Sequence, residues 1–168
     1  MTDILALYKR VRILVWFFIA ALVASGLTAF PLEWELGVLT SLVSGSGSPL
    51  PALWPDLVAW IARVNTGLQE TYRQYPFLAY GTDWLAFAHI VIAIAFLGPL
   101  KDPVRNIWVI EFGMIACVLV LPLALICGPI RGVPFYWRLI DCSFGVFGII
   151  PLWLCRNTIR QIEALSKR

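Results

Sequence analysis

Four long apolar runs, separated by charged or proline–glycine punctuation, organise this chain. They cover residues 13–30, 82–98, 104–127 and 135–155. A helix needs roughly 20 mostly apolar residues to cross a bilayer, so each run predicts a membrane-spanning helix. The expected fold is all-α: a single polytopic membrane domain over residues 1–168, built as a four-helix bundle, with an outer loop over residues 31–81.

Local signals place the ends. "GPLKDPVRN" stops the second span at Gly98 and Pro99. Asp102 then reads as an N-cap and Pro103 as the first helical residue of the third span. "GPIRGVP" closes the third span at Gly128 and Pro129, and Pro134 opens the fourth. Pro122 and Pro151 lie inside spans and predict kinks, because proline lacks an N–H and clashes with the preceding turn.

The outer loop is too long for a plain turn. After the flexible "SGSGSPLP", Leu57, Trp60, Ile61, Val64, Leu68 and Tyr72 recur at helical spacing. Asp56, Arg63, Gln69, Glu70 and Arg73 fill the other positions. This pattern predicts an amphipathic helix on the membrane surface or across the bundle mouth. The first span follows Lys9, Arg10 and Arg12, as a signal peptide would, but its apolar run is longer than a signal core, and it reads as a retained span.

Composition supports the same class. Of the 168 residues, 60% are hydrophobic and only 14% charged, against about 25% charged in soluble domains. The net charge of +3 comes without a Lys/Arg-dense run, so nucleic acid is not an expected partner. No Walker loop, GxGxxG or GxSxG occurs. The basic residues set an orientation. With a cytoplasmic N-terminus, Lys9, Arg10, Arg12, Lys101, Arg105, Arg156, Arg160, Lys167 and Arg168 all lie inside, and only Arg63, Arg73, Arg131 and Arg138 lie outside. The expected placement is therefore multi-pass, N-in/C-in, of the kind found in a bacterial inner membrane. Trp16, Trp108 and Trp153 would form the inner aromatic belt, and Trp34, Trp84 and Trp137 the outer one.

Ionisable residues within apolar spans are costly and mark candidate sites. Arg138 and Asp141 share a helix face at i,i+3 spacing, with Gly145 and Gly148 below them. His89, the sole histidine, and Asp141 fall roughly 6–8 Å below the outer belt at about 1.5 Å rise per residue, so both reach one depth. With Asp83, Tyr136, Arg131 and Arg138 around the mouth, they form a candidate ligand-binding site for a proton-exchanging or hydrogen-bonding polar group. A structural role in helix packing is the competing reading for each. Glu111 and Arg156 would form a structural ion pair near the inner face. No residue set identifies a catalytic reaction.

The four cysteines, Cys117, Cys127, Cys142 and Cys155, contain no CxxC. Most such residues are small packing groups, though a Cys127–Cys142 disulfide is compatible with an oxidising outer compartment. One histidine and scattered thiols lack metal-ligand spacing, so neither metal nor another cofactor is expected.

Four helices, a long first outer loop and intramembrane acidic residues resemble the emopamil-binding/sigma-2 receptor group, whose members bind sterol-like ligands in a four-helix bundle. The likeness is one of architecture, without a shared motif, and implies a hydrophobic ligand. The expected function is binding or processing of a hydrophobic or amphipathic small molecule or lipid near the outer face. The alternative is a non-catalytic accessory or scaffolding subunit whose charges pair with partner helices. Membrane lipid is the expected partner in either case, and a homodimer is compatible with both.

Overall fold

The computed structural model describes residues Thr2–Lys167. Arg168, counted above with the inner basic residues, lies outside them. Among the described residues the structure is helical, with no strand. Four helical segments are long and apolar enough to cross a membrane: Ile4–Ala29, Pro76–Lys101, Ile107–Ile130 and Phe135–Ser166. They suggest a multi-pass membrane protein.

The chain forms two compact units. One comprises the residues up to Ala21 together with those from Ile92 onward, and the other comprises Leu22–Val91. Helix α1 (Thr2–Ala29) contributes its first part to one unit and its last turns to the other.

In the Leu22–Val91 unit, the region read as a loop is largely helical. α2 (Leu32–Ser44) was not expected from the sequence. Pro31 precedes it, and Glu33 and Glu35 occupy its first turn, where carboxylates favour the positive end of the helix dipole. A turn leads to the short α3 (Leu50–Leu53) and then α4 (Pro55–Gln74). In α4, Ile61 is buried and Leu57, Trp60, Val64, Leu68 and Tyr72 are half-buried, whereas Asp56, Arg63, Gln69, Glu70 and Arg73 are exposed. α4 packs against α2. A 3₁₀ turn over Pro76–Ala79 leads directly into α5 (Tyr80–Ala95), so the second apolar helix starts earlier than residue 82. Gly26 of α1 lies against α5. A Cβ at that position would sit 2.9 Å from the Ala86 carbonyl oxygen and 3.0 Å from His89 Cβ.

The other unit contains α6 (Leu97–Lys101), α7 (Ile107–Pro122), a π-helical turn (Leu123–Cys127), α8 (Gly128–Ile130) and α9 (Phe135–Ser166). Its most buried side chains are Val11 and Val15 of α1, Phe96, Ile110 of α7, and Leu152, Cys155, Ile159 and Ile162 of α9. The Phe18 and Phe96 rings meet at 4.8 Å between centroids. Phe96 and Leu152 both close over Gly113, at 2.9 and 3.0 Å from the place a Cβ would take. In lipid such close packing, rather than exclusion from water, holds helices together. The outward faces carry large apolar residues such as Phe17, Phe144 and Phe147, all more than 60% exposed.

Several boundaries differ from those read in the sequence. α7 begins at Ile107, not at Pro103. The Asp102 carboxylate does accept a backbone N–H, that of Arg105 at 2.9 Å. It caps a turn instead of a helix, because Asn106 Nδ2 donates to the Gly98 and Asp102 carbonyls and holds that turn in place. The third helical segment also runs past Gly128 and Pro129 to Ile130. α9 continues through Pro151 and ends at Ser166 instead of at residue 155. Its 32 residues extend about 48 Å at about 1.5 Å each, longer than a hydrocarbon core of about 30 Å. The excess is the polar stretch from Arg156 onward.

Candidate functional site

The clearest polar site in the first of these units is built where α7 loses its regular form. Pro122 has no N–H to donate to the preceding turn, and the next five residues, Leu123–Cys127, take up a wider π-helical turn. The chain then reverses through a Schellman turn. Val133 N–H donates to the Gly128 carbonyl at 2.9 Å, and Gly132 N–H donates to the Pro129 carbonyl at 3.1 Å. That turn requires a left-handed residue, and Gly132 supplies it with φ 71°.

The irregular backbone leaves a cleft of about 250 Å³. Val120, Leu123, Ala124 and Val133 give it apolar walls, Cys127 and Gly128 line one side, and Arg131 and Asp141 bring opposite charges to it. Asp141 is half-buried and Arg131 exposed. Among the described residues, Asp141 forms an ion pair neither with Arg131 nor with Arg138.

Arg138 takes a different course from the one its spacing suggests. Its aliphatic stem lies across Gly128, and its guanidinium stacks over the Phe135 ring, 5.2 Å from the centroid. Its Nε is buried without a hydrogen-bond partner. The stem fits because Gly128 has no side chain: any Cβ there would collide with Arg138 Cδ. Tyr136, in the first turn of α9, is half-buried. Below Asp141, Gly145 sits directly on the Cys117 carbonyl oxygen, and a Cβ on Gly148 would lie 3.1 Å from Cys117 Sγ. The glycine face therefore brings α9 against α7.

At the other end of these helices, Arg156 Nε donates to Glu111 Oε1 at 2.8 Å. Arg160 lies 3.5 Å from the same oxygen and also pairs with Glu163 at 3.0 Å, and Lys167 reaches Glu163 at 2.8 Å. This network includes groups from a quarter to nearly three-quarters exposed, so solvent screens its pairs and each adds little to stability.

His89 and Asp83 belong to the Leu22–Val91 unit. His89 Nδ1–H donates to the Leu85 carbonyl of its own helix at 2.8 Å. Asp83 lines a mainly aromatic groove of about 330 Å³ with Phe30, Tyr80, Trp84 and Phe87. A second groove, of about 610 Å³, runs from Phe30 past Glu33, Trp34 and Val38 to Gln69 and Tyr72. Neither Glu33 nor Trp34 was among the expected site residues; both lie in "FPLEWEL", where carboxylates alternate with large apolar groups directly after a span.

All four cysteines are free thiols, so Cys127 and Cys142 are not joined. No group of three or more His, Cys, Asp or Glu side chains is arranged to hold a metal among the described residues.

Comparison with protein-family models, curated proteins and solved structures finds no match to this chain. The likeness to the emopamil-binding/sigma-2 receptor group therefore rests on helix number and loop length alone.

Proposed function

We propose that this chain is a multi-pass membrane protein, oriented N-in/C-in, that binds the polar head of an amphipathic small molecule or lipid at the Asp141 cleft near the outer face. α4 lies at the membrane surface as an amphipathic helix in the segment joining the first two spans. One observation carries the binding reading: Asp141 and Arg131 line one apolar-walled cleft without pairing to each other. An unpaired carboxylate in an apolar setting is unfavourable, and a ligand supplying a donor or positive charge would satisfy it. A phosphate or carboxylate on the same ligand would meet Arg131. The chemistry indicated is a zwitterionic or mixed-polarity headgroup with a hydrocarbon tail.

The test is thermal unfolding of the purified chain in detergent, with and without lysophosphatidylethanolamine, whose ammonium and phosphate match the two charges. The expected result is a ligand-dependent rise in Tm that Asp141→Asn abolishes while the variant still folds. Unchanged stabilisation in Asp141→Asn overturns the proposal. Gentle purification gives a second check: a co-purified lipid agrees with it, whereas a stoichiometric protein partner moves the function to an accessory subunit.

A further inference from the structure

Arg138 holds a charge that neither topology nor packing accounts for. Basic side chains gather on the cytoplasmic side of a membrane protein, yet Arg131 and Arg138 lie on the outer side in the proposed orientation. Arg138 is half-buried. Among the described residues it takes part in no ion pair, and its Nε is closed off from water without an acceptor. Buried donors in folded proteins are nearly always paired, so an orphan on a cation calls for a partner.

The fold also makes room for this cation. Its stem lies across Gly128, where any Cβ would collide with it. Gly128 is itself a wall of the Asp141 cleft. Its carbonyl accepts the backbone N–H of Arg131 at 3.1 Å. Arg131 and Arg138 are thus both seated on Gly128, at the rim of the cleft.

We infer that the anion taken at this rim is a phosphate held between Arg131 and Arg138, which makes the ligand a phospholipid, a proposal that rests on the headgroup reading of the cleft and extends it to a second guanidinium. Shape favours phosphate over carboxylate. A planar carboxylate is satisfied by one guanidinium fork. A tetrahedral phosphate carries oxygens in diverging directions and bridges two cations on separate elements, here the end of α8 and the first turn of α9. Arg138 gives up little to reach it. Leaving the Phe135 ring, 5.2 Å away, breaks no ion pair and frees the orphaned Nε to donate. Inorganic phosphate has the same chemistry, but the apolar walls Val120, Leu123, Ala124 and Val133 favour a phosphate carried on hydrocarbon.

The test is titration of the full chain in a non-ionic maltoside detergent with lysophosphatidic acid, read as a rise in Tm. This lipid has the phosphate and lacks the ammonium. A fatty acid of the same acyl chain and inorganic phosphate are the comparisons. Lysophosphatidic acid is expected to stabilise the native chain at concentrations about tenfold or more below those the fatty acid needs. Inorganic phosphate is expected to give no rise over the same range. Arg138→Met keeps an unbranched stem over Gly128 and removes the guanidinium. It should weaken lysophosphatidic acid binding by about tenfold or more. Arg131→Gln, at an exposed position, should weaken it likewise and decides the matter if Arg138→Met does not fold. Arg63→Gln, in the Leu22–Val91 unit and outside the cleft, should leave it within about twofold. Asp141→Asn should not weaken it, because the lipid has no ammonium for Asp141 to meet. Binding within about twofold of the native chain in a folded Arg138→Met or in Arg131→Gln overturns the inference. So does an equal loss in Arg63→Gln, or equal stabilisation of the native chain by the fatty acid or by inorganic phosphate. The headgroup reading fails instead on Asp141→Asn with lysophosphatidylethanolamine, so the two failures are told apart.

Discussion

At the residue scale, the small side chains decide which contacts form. Gly145 allows α9 to rest on the Cys117 carbonyl, and nothing flexible lies in the path of an added methyl. Gly145→Ala should therefore destabilise the protein by about 1–3 kcal/mol, the usual range for overpacking a close contact. Thermal unfolding in detergent would measure it, with Gly37→Ala as the control because a Cβ there meets nothing within 4 Å. A loss no larger than the control's would show that the helices part easily at this point. The Arg138–Asp141 spacing illustrates how far residue-level reading extends. The spacing correctly puts the pair on one helix face, but side chains on a helix lean toward its N-terminus. Arg138 accordingly turns back to Phe135 and over Gly128, away from Asp141. The glycine that makes room is ten residues away on another element, and local spacing carries no information about it. By contrast, counting residues along the third and fourth spans puts Glu111 and Arg156 near the same span ends, and in the structure these two meet at 2.8 Å.

At the element scale, the apolar runs revealed the four long helices because length and hydropathy are local properties. α2 was not legible: "LEWELGVLTSLVS" mixes carboxylates, hydroxyls and a glycine, and its stability comes from packing on α4. The extension of α9 beyond its apolar stretch was missed for the converse reason, since charged helix formers continue a helix without any hydropathy signal. Pro122 was legible as a disturbance, but its consequence, a π-helical turn that helps line the Asp141 cleft, was not. Pro122→Ala restores the missing N–H donor and removes the clash with the preceding turn. The expected outcome is a regular helix through Leu123–Cys127, with slower amide hydrogen exchange in that segment measured by mass spectrometry. Because Leu123, Ala124 and Cys127 would then rotate relative to α9, lysophosphatidylethanolamine stabilisation should fall even though the helix itself becomes more regular. Faster exchange in the variant would show that proline stabilises the turn instead of causing it.

At the scale of the whole molecule, charge is distributed unevenly along the chain. Lys9, Arg10, Arg12, Lys101, Arg105, Arg156, Arg160 and Lys167 lie at one set of span ends in the proposed topology, while the Leu22–Val91 unit is acidic. Basic residues beside short loops resist translocation and so set orientation. A fluorescent-protein fusion after the C-terminus should therefore be fluorescent when expressed in a bacterial inner membrane, since such reporters fold on the cytoplasmic side. An alkaline phosphatase fusion joined at Ser46, in the exposed turn after α2, should be active, because that enzyme needs the oxidising outer compartment for its disulfides. The opposite pattern at both sites would invert the molecule and place the Asp141 cleft on the cytoplasmic side. Replacing Lys101 and Arg105 by Gln adds a graded test of the cause: loss of two basic residues near the second and third spans should raise the fraction of misoriented chains. An unaltered fusion pattern in that variant would mean that the N-terminal group Lys9, Arg10 and Arg12 suffices to fix the first helix, and that the remaining spans follow by alternation.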